Sequence, residues 1–138
     1  MACKEGRQVD WDRLQAKIDC GADFVVTQLF FKNEFYLEMR DYLDRKGVKV
    51  PLLPGIIPIQ SATQIKRFTT MCGAHLPPTL VADLEKLGDN EAAAAEYGIE
   101  YATRQCAELL REGVSGLHFY TLNKAPTVTR IVKNLHLA

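Results

Sequence analysis

Gln64 and Phe68 stand four residues apart in a stretch patterned as a helix, so one helical face can bring an amide and an aromatic ring to the same ligand. Ordinary core packing is the commoner fate of a helical phenylalanine. Gln28 lies within the apolar run FVVTQLFF at 24–31, where its amide can both donate and accept, toward a ligand or toward local backbone. Lys124 directly follows HFYTLN, which contains Tyr120 and Leu122; it is either a compact cation for a carboxylate or a solvated surface residue. Asp10, Arg13 and Lys17 place charge near the start of the chain, on a solvated face or beside a phosphate group. General-acid chemistry requires a positioned titratable group. The ends of the apolar runs read Thr27-Gln28-Leu29, Pro54-Gly55-Ile56 and Thr121-Leu122-Asn123, with no carboxylate among them. Glu34, the next acid after Gln28, falls at a helix start, where it complements the dipole.

Three apolar runs must carry these residues. FVVTQLFF is rich in β-branched and aromatic types and predicts a buried strand over 24–31, after a helix that Gly21 helps to end. VPLLPGIIPI at 50–59 holds three prolines, whose missing N–H groups limit its strand to a short one ending near Gly55. GLHFYTLN predicts the third strand, over 116–123. Helices are predicted over 34–45, 61–71, 90–112 and 126–135, with a short one at 76–87 begun by Pro77-Pro78. The longest has Asp89 or Asn90 to cap it, Glu91 in its first turn, and Tyr97, Tyr101, Leu109 and Leu110 at near-helical spacing. Strands apolar on both faces, separated by far more than a hairpin turn, imply parallel β-α units covered by helices. The class is α/β. Three such strands leave two bare edges, which a piece of a larger barrel explains better than a complete fold.

The bulk properties narrow the function. A chain of 138 residues with 47% hydrophobic and 25% charged residues fits one ordinary globular domain. Seventeen basic residues balance seventeen acidic ones, which argues against nucleic acid as a partner. No apolar run approaches the roughly 20 residues that span a bilayer, so no membrane is expected. The polar start MACKEGRQVDWD is unlike a signal peptide, and cytoplasm is the expected compartment. Cys3, Cys20, Cys72 and Cys106 are scattered, without a C-x-x-C pair or histidines at ligand spacing, and read as reduced, partly buried thiols rather than a metal site.

The segments GADFVVTQLFF, VPLLPGIIPI, EYGIEYATRQCAELLREGV and GLHFYTLNK, in this order and spacing, resemble the methylenetetrahydrofolate reductase family. The strings T-Q-L-F-F and H-F-Y-T-L-N are the most specific, and the likeness runs from about Asp10 to the C-terminus. The resemblance implies a (β/α)8 barrel with bound FAD, which passes hydride from NAD(P)H to 5,10-methylenetetrahydrofolate and yields 5-methyltetrahydrofolate. The fold expected of this chain is thus a partial TIM barrel: its last three β-α units with parallel strands, residues 1–20 supplying the preceding loop and helix.

Barrel enzymes place their chemistry at the C-terminal ends of strands. By the resemblance, Gln28 contacts the pterin, Gln64 and Phe68 line the folate site, and Tyr120 and Leu122 shape the pocket. Lys124 stands where the family usually has arginine, keeping the charge but losing the bidentate fork. Asp10 and Lys17 match positions approaching the FAD nucleotide, while Arg13 and Ala16 depart from the pattern there. The family's acid, a glutamate on the first strand, and its flavin-adjusting aspartate have no counterpart. The expected partners are therefore folate, NAD(P)H, and missing barrel strands supplied in cis or in trans or replaced by self-association. Two other readings stand beside this one: a noncatalytic folate-binding or assembly module, and an unrelated barrel fragment with phosphate affinity near its last strands.

Overall fold

The computed structural model describes residues 6–137. The elements run α1 (Arg7–Asp19), β1 (Val25–Val26), α2 (Asn33–Arg45), β2 (Leu52–Leu53), β3 (Gly55–Ile56), α3 (Ala62–Cys72), α4 (Pro78–Leu87), α5 (Glu91–Arg111), β4 (His118–Phe119) and α6 (Ala125–Asn134). Pro54 decides how the middle of the sheet pairs. It has no N–H to give a ladder, and the central segment changes partner across it. On one side β2 pairs parallel with β1, Val25 opposite Leu52; on the other β3 pairs parallel with β4, Gly55 opposite His118. The Pro51 and Leu53 carbonyls accept from Val25 and Thr27 at 2.9 and 3.0 Å, and those of Pro54 and Ile56 accept from His118 and Tyr120 at 3.0 and 2.8 Å. The result is a parallel layer in the spatial order β1, β2/β3, β4, built as two short ladders.

The helices follow local signals. Asn90 rather than Asp89 caps α5, its Oδ1 accepting the Ala93 N–H at 3.0 Å. Ser61 caps α3 through the Gln64 N–H at 3.1 Å, and Pro78 opens α4. Helix α5 runs along both cores: Ile99, Cys106 and Leu109 enter the cluster with Leu43, Ile56 and Ile131, while Ala94 joins Leu29, Ile59, Ile65 and Leu80 in the second. Gly98 lets it cross the chain at Ile59, since a Cβ there would lie 1.9 Å from the Ile59 carbonyl oxygen. Helix α1 is clipped to α2, with the Arg7 guanidinium 4.7 Å from the centre of the Phe35 ring and 2.7 Å from Glu38.

Several expectations need correction. The apolar runs at 24–31 and 116–123 are not strands throughout. β1 ends at Val26, and Leu29 and Phe31 are buried beneath helices without a ladder. The third run turns after β4, where Leu122 and Asn123 have φ of 50° and 61°, outside strand geometry. The strands are also not covered on both faces: β1 and β4 are half-buried and Phe24 is 57% exposed, because only the central segment has a neighbour on each side. Cys20 is exposed, Cys72 half-buried and Cys106 fully buried, while Cys3 lies outside the described residues.

Candidate functional site

The C-terminal ends of the strands open on two cavities. In the first, of about 410 Å³, Gln28 meets Asp10, Trp11, Thr27, Met39 and His75. Gln28 is exposed one residue past the last ladder bond, and its Oε1 accepts the Leu29 N–H at 3.1 Å. Of the charged residues on α1, Arg7 and Asp10 reach this cavity, whereas Arg13 and Lys17 sit farther along the helix on its exposed side.

The second cavity, of about 730 Å³, gathers Gln64 with Leu122 and Lys124, from two distant parts of the chain. Gln60, absent from the sequence reading, ties them together: its N–H donates to Gln64 Oε1 at 2.8 Å and its Oε1 accepts from Lys124 Nζ at 3.1 Å. Ser61-Ala62-Thr63-Gln64 has the S-x-x-Q spacing of a capping box, a signal that could have assigned Gln64 a local role as well. The lining residues Ser61, Glu91, Ala92, Lys124, Pro126 and Thr127 belong to the first turns or caps of α3, α5 and α6. Three helix N-termini therefore face one space, and their dipoles add to the Lys124 cation in favouring an anion, with Glu91 opposing.

Phe68 is half-buried and packs on the second core cluster. Tyr120 packs there too; its hydroxyl donates to the Thr27 carbonyl at 2.9 Å and its ring meets His118 edge-on. Burial first, and the neighbouring Cys72 second, push its phenol above the ordinary value, so it keeps its proton at neutral pH. Gly55 makes this closeness possible, because a Cβ there would lie 2.4 Å from Thr27 O and 2.8 Å from Tyr120 Cε2.

Asn33 and Gln105 escaped sequence reading, and Tyr101 is read there only as part of a helix face. Gln105 Nε2 donates to the Phe30 carbonyl at 3.0 Å and the Tyr101 hydroxyl to that of Phe31 at 2.6 Å. Asn33 Nδ2 donates to Gln105 O at 3.0 Å and to Glu108 Oε2 at 2.6 Å, leaving its buried Oδ1 without a partner among the described residues. These contacts join residues 70 to 75 positions apart, for which local pattern carries no signal. Among the described residues no group of His, Cys, Asp and Glu could hold a metal ion, and no helix is long and apolar enough to cross a membrane.

Comparison with known proteins places this geometry in a family. The family model described as methylenetetrahydrofolate reductase matches residues 3–136. "Methylenetetrahydrofolate reductase (NADH) 1" of Arabidopsis thaliana is 37% identical over 137 residues, 99% of this chain and 23% of that protein. "5,10-methylenetetrahydrofolate reductase" of Escherichia coli strain K12 is 36% identical over 118 residues, 86% of this chain and 40% of that protein. The chain thus spans less than half the length of either relative. A Clostridium thermocellum protein that binds two copies of 5-methyl-5,6,7,8-tetrahydrofolic acid shares the fold, with a TM-score of 0.64 at 18% identity over 94% of this chain and 47% of that one. With the family model matched over nearly its whole length, the chain belongs to the methylenetetrahydrofolate reductase family.

Proposed function

We propose that this chain forms the folate-facing part of a flavin-dependent methylenetetrahydrofolate reductase, as the last three β-α units of a (β/α)8 barrel whose other units are supplied in cis or in trans. The observation that carries the reading is the convergence of Gln60, Gln64, Leu122 and Lys124 on one cavity ringed by three helix N-termini. That cavity suits the carboxylate end of a folate, with Lys124 as point charge and the helix ends as oriented donors. Gln28, at the neighbouring cavity beside Trp11 and Met39, offers a donor and an acceptor to the mixed edge of a pterin.

The residues fit FAD at its nucleotide end only. Asp10 lines the Gln28 cavity, and Arg13 and Lys17 continue along exposed α1, where cations suit a pyrophosphate. When bound, the flavin supplies the hydride that NAD(P)H delivers to it. This chain's part is to hold and orient folate; the proton that opens the methylene bridge comes from a group outside the chain, because the strand ends carry no carboxylate. The same absence favours, as a second reading, a noncatalytic folate-binding module.

Both readings are tested by titrating 5-methyltetrahydrofolate with and without flavin, following the fluorescence of Trp11, the chain's only tryptophan. Gln28→Ala should weaken binding without unfolding the chain, since it deletes an exposed polar contact. Unchanged affinity would remove Gln28 from the site. Binding without flavin, together with no NAD(P)H oxidation in any assembly, would favour the binding module.

A further inference from the structure

We propose that Gln105 is a positioning residue for Gln28, holding from α5 the backbone that carries the folate-facing amide. The proposal rests on the folate reading above and extends it to a residue that lines the far side of the strand end.

The last ladder bond of the first strand is Thr27 N–H to Leu53 O, and regular structure resumes only at Asn33. Gln28 therefore sits on a five-residue span that no strand neighbour holds. Side chains replace the ladder. Tyr120 bonds the Thr27 carbonyl at the near end, Gln105 the Phe30 carbonyl, Tyr101 the Phe31 carbonyl, and Asn33 returns a bond to the Gln105 carbonyl. Gln105 is central to this clamp and only 7% exposed, in a helix whose buried positions are otherwise apolar or small. Leucine would fill much the same volume, so packing alone does not explain the amide. A buried amide that lost the Phe30 bond would be left unsatisfied, and this fixes the span in one place. Asn33 adds its own indication: its Nδ2 serves two acceptors on α5 while its Oδ1 stays unpartnered among the described residues, a geometry that holds the span to α5 at a cost.

The consequence falls on affinity. A strand-end amide has to meet a ligand edge within hydrogen-bond reach, and losing one such bond weakens binding by up to about tenfold. In the folate-binding assembly, Gln105→Met, which keeps length and loses the donor, should raise the Kd for 5-methyltetrahydrofolate up to about tenfold. The double variant with Gln28→Ala should bind no more weakly than Gln28→Ala alone, because the clamp acts through that amide. Amides of residues 29–31 should exchange with deuterium about tenfold faster, while those of α5 keep their protection. If Gln105→Met does not fold, Tyr101→Phe, which loses only the bond to Phe31, carries the same expectation. An unchanged Kd beside a weakened Gln28→Ala, or penalties that simply add, would overturn the positioning role. Unchanged affinity in Gln28→Ala would instead overturn the folate reading, and this proposal with it, even if exchange at 29–31 still quickened.

Discussion

Gly98→Ala tests the packing that joins the two cores. On helix propensity alone this substitution should stabilise α5 by about 1 kcal/mol, because glycine is a poor residue in a helix interior. The structure predicts the opposite sign. The new Cβ would stand 1.9 Å from Ile59 O, 2.7 Å from Ile59 C and 2.9 Å from Ile59 Cβ, so backbone must move rather than a side chain rotate. Reaching even 3.0 Å requires a shift of about 1 Å between α5 and the chain at Ile59, loosening Ala94, Ile65 and Leu80 around it. Overpacking of this kind costs about 3 kcal/mol, the upper part of the usual range, since neither partner can relax locally. Net of the propensity gain, the loss is about 2 kcal/mol, or some 6–10 °C in Tm for a domain of this size. Urea unfolding followed by circular dichroism measures it directly. Gly116→Ala serves as control: its Cβ would meet only the Leu53 Cδ2 methyl at 3.3 Å and should shift stability by less than about 1 kcal/mol. If Gly98→Ala is as stable as the parent, the close crossing is wrong.

Alkali should destabilise the fold through Cys106, whose thiol burial pushes up from 9.0 to about 12. The folded chain keeps a proton that the unfolded chain releases, so stability is whole below about pH 9 and falls by up to about 1.4 kcal/mol per pH unit toward 12. Cys106→Ala should flatten that slope, and an unchanged slope would refute the assignment. Lys124→Arg should keep or tighten folate binding and Lys124→Ala should weaken it; equal affinities would end the carboxylate role. Because β1 and β4 each pair on one side only among the described residues, the isolated chain should self-associate, seen as mass rising with concentration in light scattering. A compact monomer with protected outer amides would refute this.

Helices were the legible part of the sequence, because their ends carry local chemistry: Asn90, Ser61 and Pro78 each mark a terminus that the structure keeps. The first and third strands read too long, whereas the prolines kept the middle one short. Leu29 and Phe31 are as apolar as ladder residues but are buried under helices, and an apolar run does not distinguish a buried strand from buried irregular chain. At the candidate site, Gln64 and Lys124 could be singled out by type, and their meeting through Gln60 could not. The same holds for Gln105, whose amide faces a carbonyl 75 residues away.

The break at Pro54 also bears on the order in which the chain folds. Pairing Val25 with Leu52 closes a loop of 27 residues around α2, while pairing Gly55 with His118 closes one of 63 around α3, α4 and α5. The longer closure costs about 0.8 kcal/mol more in chain entropy. Because the two ladders grip different halves of the central segment, the short one can form before the long one begins. Folding then starts from the β1–α2–β2 unit. Destabilising changes at Leu52 should slow refolding, whereas those at the β4 positions should mainly speed unfolding.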